Sequence, residues 1–293
     1  MTWKRAHGPA VIAAEHAHAD FKVAREGYVD VFAALRAGGI KVMVQPIGSL
    51  FGVYFAPDED GPGVLVNSGL DETALRHTAA HELGHHCLAH GTTADESLEA
   101  FDEWGRKSWP EPEKQAEAFA AWFLMPRAAV NSGLAAMGCS QVAGSAEAYQ
   151  LSLWLGTSYQ GTLRHLANLR MIAPRDAEAW STLTPGELRR ELDGGRVRGS
   201  KRHWRLGAAA CGRSLHVRAG DRFTITLDTP AEKGVLPTGV SPAPARSANA
   251  PFDGTHVLEV DDALTAPSAV SLGEWHATFI PAPSRLGYLN IRP

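Results

Sequence analysis

Two histidines and a glutamate stand at a spacing that can bind a metal ion and use it for catalysis. Residues 81–85 have the sequence HELGH, which follows the pattern H-E-x-x-H. Four residues advance an α-helix by about 400°, so His81 and His85 would lie one turn apart on one face and could bind one ion. Glu82 would lie beside them, about 100° round from His81, where it could reach a water on that ion. The pattern predicts a zinc site with His81 and His85 as metal ligands and Glu82 as the catalytic residue.

The flanking sequence predicts that this motif lies on a helix. Asp71 is a favourable N-cap, and the stretch after it lacks glycine and proline until the motif itself. We expect a helix to about His90, with Gly91 as its stop signal. Short β-like runs at residues 40–44, 51–55 and 64–66 precede it.

A third protein ligand should come from another element, because zinc bound by two histidines normally takes a third ligand and leaves the fourth position to water. A second helix is predicted from Pro112 to Met125, since Pro126 prevents its continuation. Glu113 near its start is the expected third ligand, and alanines on this helix would let it approach the first helix closely. Glu117, one turn further on nearly the same face, remains the alternative. His90 would lie about 140° away from the ligand face and is a weak candidate.

Such a site would hydrolyse a peptide bond. Zn²⁺ would lower the pKa of its bound water to about 7 and polarise the peptide carbonyl. Glu82 would take the proton of that water and pass it to the leaving amine. The strand at residues 64–67 could align the substrate by adding it as a further strand, or it could be an ordinary packed edge strand.

These segments resemble the ImmA/IrrE family of zinc metallo-endopeptidases. The resemblance is carried by residues 64–67, 76–85 and 113–126, and it covers roughly residues 20–175. It implies a gluzincin-like zincin that is mostly helical with a small antiparallel sheet, and a helix-turn-helix repressor as substrate, whose cleavage switches on mobile-element, phage or DNA-damage genes. Two positions depart from the family pattern, because His77 stands where an apolar or aromatic residue is common and Glu117 where Asn is common.

The chain length and pattern predict an α+β protein of two domains. A chain of 293 residues exceeds the usual length of one domain. Residues 1–175 would form the zincin-like metallopeptidase domain, ending in two helices at residues 151–172 that resemble a helix-turn-helix. Residues 176–293 contain alternating runs typical of strands, separated by a proline-rich loop at 230–254, and are expected to form a β-rich substrate-docking or regulatory domain.

Composition and charge limit the partners and the location. Three cysteines are too few for a disulfide scaffold and favour the cytoplasm. No stretch approaches the roughly 20 apolar residues of a membrane-spanning helix, so no membrane is expected as a partner. The net charge of -4 excludes a uniformly basic nucleic-acid coat. Basic residues nevertheless cluster within the segment 189–222, which is either a solvated surface or a phosphate-binding patch for single-stranded DNA or a nucleotide; they are Arg189, Arg190, Arg196, Arg198, Lys201, Arg202, Arg205, Arg213, Arg218 and Arg222.

The sequence therefore favours a zinc-dependent endopeptidase that performs limited, regulatory proteolysis. Two other hypotheses remain open. One is a DNA-binding transcriptional regulator whose metal is structural. The other is an interaction protein that has a silent peptidase fold and binds a partner without cutting it.

Overall fold

A computed structural model of the chain describes residues 3–95, 109–192, 202–228, 234–243, 254–282 and 287–288. These residues form helices and several small mixed sheets, which confirms the α+β class. The chain divides into two compact units, Met1–Ala129 with Ser284–Pro293, and Val130–Pro283. The predicted division into functional domains at residues 1–175 and 176–293 lies at a different place and stays a prediction. None of the described helices combines the length and the apolar character that crossing a membrane requires.

The described residues of the first unit form four helices, α1 (Trp3–Asp20), α2 (Val31–Ala37), α3 (Glu72–Cys87) and α4 (Glu111–Leu124), and α5 (Arg127–Ala136) begins at the end of this unit. Asp71 caps α3 as the sequence predicts, because its side chain accepts a hydrogen bond of 2.9 Å from the backbone N–H of Ala74. Helix α3 ends at Cys87, three residues earlier than predicted, whereas α4 ends at Leu124, one residue before its predicted end.

The sheet of the first unit contains β1 (Lys41–Gln45), β2 (Gly52–Phe55), β3 (Gly63–Asn67), β4 (Thr93–Asp95) and a two-residue strand, Gly287–Tyr288. Their order is Gly287–Tyr288, β1, β3, β2, β4. The prediction of an antiparallel sheet is wrong in one pairing, because β1 and β3 run parallel. The prediction of an edge strand at residues 64–67 is also wrong, since β3 bonds to β1 on one side and to β2 on the other. A substrate therefore cannot add itself to β3.

Helix α3 packs against strands β2 and β3 and against helices α1 and α4. The approach of α3 to α4 is close at Gly84, where a Cβ atom would lie 3.1 Å from the Cα of Ala116 and 3.0 Å from Cδ1 of Phe119. Phe119 is fully buried in this interface. The small residues at positions 84 and 116 thus allow the two helices to bring their side chains together, as the alanines of the second helix predict.

The second unit contains the helices α6 (Ser145–Leu155), α7 (Tyr159–Asn168), α8 (Pro174–Ser181) and α9 (Pro185–Leu192). Gly156 has a left-handed backbone, with φ of 63°, and terminates α6 before α7 begins, at the turn that the sequence predicts. The sequence pattern predicts neither α8 nor α9.

The part of the second unit that the structure describes also contains eight short strands: β5 (Arg202–Leu206), β6 (Ser214–Val217), β7 (Asp221–Thr226), β8 (Gly234–Val235), β9 (Val240–Pro242), β10 (Thr255–Val260), β11 (Ser268–Leu272) and β12 (Trp275–Pro281). They form two sheets with the orders β5-β7-β10-β9 and β6-β12-β11-β8. The rings of Trp204, Phe223 and Phe279 stack in succession and are fully buried. Strands β8 and β9 lie within residues 230–254, which the sequence predicts as a loop, and residues 229–233 and 244–253 are outside the described part of the chain.

Candidate metal centre

Helix α3 places His81 and His85 on one face, one turn apart. Their Nε2 atoms are 3.0 Å from each other, and the two ring centroids are 4.8 Å apart. Both residues are buried, with exposed fractions of 3% and 1%. The four-residue spacing therefore brings two nitrogen atoms together inside the protein, as the sequence predicts.

Glu113 on α4 brings a carboxylate to the same point. Its Oε2 atom lies 3.1 Å from Nε2 of His81 and 3.5 Å from Nε2 of His85. In a tetrahedral zinc site with bonds of about 2.0–2.1 Å, neighbouring ligand atoms are about 3.3–3.4 Å apart. The three observed distances agree with this spacing within about 0.4 Å. Two imidazoles and one carboxylate are also a donor set that catalytic zinc uses, so His81, His85 and Glu113 could hold the ion.

Glu117 lies on the other side of the His81 ring. Its Oε2 atom accepts a hydrogen bond of 2.8 Å from Nε2 of His77 and is 3.6 Å from Nδ1 of His81. This position favours Glu113 as the third ligand, with Glu117 as the group that orients His81. A metal-binding histidine commonly directs its second nitrogen toward such a carboxylate.

His90 contacts His85, a relationship that the sequence analysis did not identify. Its Nδ1 atom lies 3.0 Å from Nδ1 of His85, and its Nε2 atom lies 3.1 Å from Oε1 of Gln115. The angle of about 140° assumed that the helix continues to His90. Because α3 ends at Cys87 and Ala89 has a left-handed backbone with φ of 55°, the chain turns back and the N–H of His90 bonds to the carbonyl of His85.

Glu82 lies against the sheet beside the cluster. It is 1% exposed, and both of its carboxylate oxygens are buried. The carboxylate packs over the backbone of Gly52 on β2, next to the methyl group of Thr78. The carboxylate of Glu82 therefore lies against β2, and Glu82 is not part of the cluster formed by His81, His85 and Glu113.

The electrostatic state of the cluster follows from burial and pairing. Burial alone would lower the pKa of His81, but hydrogen bonds to Glu113 and Glu117 outweigh it and raise that pKa well above its usual value. Burial opposes ionisation of Glu113, yet its hydrogen bonds to His81 and His85 lower its pKa well below the usual range. Burial lowers the pKa of His85. The centre thus combines an ionised carboxylate with one neutral and one protonated imidazole, and binding of a cation would release the proton of His81.

Cys87 does not belong to the cluster. Burial raises the pKa of its thiol to about 12. A thiol in this state is a poor metal ligand and a poor nucleophile, because both roles require the thiolate.

Some arginines of the basic segment 189–222 form ion pairs with acidic residues of the same unit. Arg202 forms an ion pair with Asp221, whose side chain is fully buried, and Arg222 pairs with Glu259 at 2.6 Å. Arg205 and Arg213 are exposed. Residues 196, 198 and 201 lie outside the described part of the chain. Arg202 and Arg222 therefore stabilise the β-strands, and nucleic-acid binding by the rest of the segment stays a prediction.

Comparison with known proteins gave one family match. Residues 36–153 match the sequence model of the peptidase M78 family, described as the IrrE N-terminal-like domain. The chain matches none of the curated proteins with which it was compared. The M78 family is one of metallopeptidases, and the cluster of His81, His85 and Glu113 is compatible with a bound metal. The match confirms the resemblance to the ImmA/IrrE family over residues 36–153.

Proposed function

We propose that the protein is a gluzincin-like, zinc-dependent endopeptidase, with His81, His85 and Glu113 as metal ligands and Glu82 as the catalytic base. One observation carries the proposal. Two imidazole nitrogens and one carboxylate oxygen converge from α3 and α4 at 3.0, 3.1 and 3.5 Å from each other, within the segment that matches the peptidase family.

Each residue of the site would have a separate role in peptide hydrolysis. Bound zinc would supply a positive charge that polarises the peptide carbonyl and makes a water molecule more acidic. Glu82 removes the proton from the attacking water and delivers it to the leaving amine, acting first as a base and then as an acid. The carboxylate of Glu82 lies against Gly52 of β2, and the burial of the site excludes bulk water from the reacting groups.

We further propose that the proteolysis is limited and regulatory, with a helix-turn-helix repressor as the substrate. The support is the family resemblance of residues 64–67, 76–85 and 113–126 together with the family match. Cleavage of such a repressor would derepress mobile-element, phage or stress genes. Residues 176–293 would then serve as a substrate-docking or regulatory part. A cytoplasmic location fits this role, and all three cysteines are free thiols, as a reducing compartment requires.

The catalytic assignment is tested by Glu82→Gln. The variant should bind one zinc ion as the wild type does, while its rate falls by roughly 10²- to 10⁴-fold, the usual contribution of a positioned acid-base group. Cleavage is measured by mass spectrometry on a degenerate peptide library and on a helix-turn-helix repressor encoded near the gene. Glu178→Gln makes the same chemical change at an exposed position of α8 and should leave the rate unchanged. A Glu82→Gln variant with the wild-type rate would refute the mechanism and favour a regulator with a structural metal.

The ligand assignment is tested by comparing Glu113→Gln with Glu117→Gln. We expect Glu113→Gln and His81→Ala to lose stoichiometric zinc, measured by elemental analysis of the purified protein. Glu117→Gln should keep one ion but bind it about 10- to 100-fold more weakly, the usual effect of removing a group that orients a ligand. The reverse ranking of the two glutamates would make Glu117 the ligand. Tight binding of an uncut partner by an inactive wild type would instead support the silent-peptidase hypothesis.

A further inference from the structure

Four side chains form a continuous series of hydrogen bonds that runs from the surface of α4 to His85. The side-chain Nε2 of Gln115 lies 3.3 Å from Oε1 of Glu111. The amide oxygen of Gln115 lies 3.1 Å from Nε2 of His90, and Nδ1 of His90 lies 3.0 Å from Nδ1 of His85. The series ends on the nitrogen of His85 that faces away from Glu113.

The chemistry of its outer end fixes the direction of every hydrogen bond. An ionised carboxylate can only accept, so the amino group of Gln115 donates to Glu111 and the amide oxygen faces His90. An amide oxygen also can only accept, so Nε2 of His90 carries the hydrogen and donates it. In a neutral imidazole the other nitrogen then has a free lone pair, which makes Nδ1 of His90 an acceptor.

The same rule applies to the next ring. Because Nδ1 of His90 accepts, Nδ1 of His85 must carry a hydrogen and donate it across the 3.0 Å contact. Neutral His85 is then left with its lone pair on Nε2, the atom that lies 3.0 Å from Nε2 of His81 and 3.5 Å from Glu113. This is the tautomer that a metal ion needs.

We infer that Gln115 and His90 are positioning residues, and that they hold His85 in the tautomer whose Nε2 lone pair faces the metal site. The inference rests on the proposed function, since it assigns a role toward the same metal. The backbone supports this inference. The left-handed conformation of Ala89 and the hydrogen bond from the N–H of His90 to the carbonyl of His85 fix the position of the His90 backbone.

The two ligand histidines are therefore oriented in different ways. His81 directs its Nδ1 toward the carboxylate of Glu117, which is a charged acceptor 3.6 Å away. His85 directs its Nδ1 toward a neutral ring, and an amide on α4 sets the tautomer of that ring. Glu111 and Gln115, which orient this series, flank Glu113 on the same helix. Helix α4 thus supplies one metal ligand and also the groups that prepare another.

The first test reads the tautomers directly in the metal-free protein. Long-range ¹H–¹⁵N spectra of histidine-labelled protein show which ring nitrogen carries the hydrogen. In the wild type we expect the hydrogen on Nδ1 of His85 and on Nε2 of His90. Gln115→Met keeps the length of the side chain but removes the acceptor, so it should abolish this preference, whereas Gln141→Met makes the same change at an exposed position and should preserve it. Wild-type His85 with its hydrogen on Nε2 would overturn the inference.

The second test measures zinc affinity by competition with a chelator. Gln115→Met and His90→Phe should each bind Zn²⁺ about 10- to 100-fold more weakly than the wild type, and Gln141→Met should stay near it. His16→Phe, the same change at an exposed position of α1, is the control. If Gln115→Met and His90→Phe both bind zinc as tightly as the wild type, the hydrogen bonds of this series do not orient His85 and the four side chains only pack together. A wild type that binds no zinc would refute the proposed enzyme, while the spectra of the metal-free protein would still decide the tautomer.

Discussion

The carboxylate of Glu82 occupies the space that a side chain at Gly52 would fill. An ideal Cβ on Gly52 would overlap Oε1 of Glu82 and would lie 2.6 Å from Cγ2 of Thr78. The absence of a side chain at position 52 is therefore what lets the strand β2 lie directly against the motif. Glycine is needed here for space, since the nearest atoms belong to side chains of α3.

Gly52→Ala should lower the rate of peptide cleavage without removing the metal. The new methyl group would push the carboxylate of Glu82 away from its position, and a displacement of about 1 Å can cost roughly 10²-fold in rate. The metal ligands are not touched, so zinc content should remain stoichiometric. Gly63→Ala is the matched control in the same sheet, because its Cβ would make only ordinary contacts of 3.5 Å or longer. Equal rates in Gly52→Ala and the wild type would show that Glu82 acts from another position.

Gly84→Ala should weaken both folding and metal binding. Its Cβ would lie 3.1 Å from both Cα and the carbonyl oxygen of Ala116, and backbone atoms cannot move aside as a side chain can. We expect a loss of about 1–3 kcal/mol in the free energy of unfolding, the usual cost of overpacking. Because α3 carries both histidines and α4 carries Glu113, separating the helices should also reduce zinc affinity.

The control for Gly84→Ala is Gly186→Ala in α9, where a Cβ atom would lie 3.7 Å from its nearest neighbour. That change should be neutral or stabilise the protein by up to about 1 kcal/mol, because alanine favours the helix. Urea unfolding and a zinc titration provide both readouts. Gly84→Ala with wild-type stability and zinc affinity would contradict the close approach of α3 to α4.

Arg202→Ala should destabilise the second unit strongly. Asp221 is fully buried and accepts hydrogen bonds from Nε of Arg202 at 2.8 Å, from Nε1 of Trp204 at 3.2 Å and from the backbone N–H of Arg218 at 3.0 Å. Removing the arginine leaves a buried charge without its cation, which usually costs about 3–5 kcal/mol. Arg205→Ala, at an exposed position of the same strand, should change stability by less than about 0.5 kcal/mol. Thermal unfolding of the two variants distinguishes a structural role from a phosphate contact.

The stability of the first unit should fall on acidification, in part through His18. This residue is 3% exposed, and its Nε2 donates to the carbonyl of Phe123 at 2.9 Å. Burial lowers the pKa of His18 below 6.5. The unfolded chain therefore takes up the proton first, so the contribution of this residue is complete above pH 6.5 and is lost as the pH falls through the folded pKa.

His18→Gln removes the titrating group and keeps a donor for Phe123. Free energies of unfolding measured at about pH 7.5 and about pH 5.5 should differ more in the wild type than in the variant. The other histidines are present in both proteins, so the difference isolates His18. Parallel pH profiles for the two proteins would show that His18 titrates normally in the folded state.

The sequence by itself determined the parts of the site that lie within one helix. The HELGH motif and the N-cap at Asp71 are local features, because helical periodicity alone places His81 and His85 on one face. The position of Glu113 near the start of the next helix was also predictable. That the carboxylate of Glu113 lies near Nε2 of both histidines, while that of Glu117 lies near Nδ1 of His81, required the structure, because these contacts join two helices.

Only the tertiary structure decided the contacts between elements. His90 reaches His85 because α3 ends at Cys87 and Ala89 adopts a left-handed backbone. The offset of about 140° from the ligand face applies only to a continuous helix, so it does not describe His90. Strand β3 is interior because its backbone groups pair with β1 on one side and with β2 on the other. Arg202 stabilises the strands of the second unit because it pairs with the buried Asp221. Periodicity and caps depend on neighbours within a few residues, whereas strand order, the end of a helix and the pairing of buried charges depend on residues far apart in the chain.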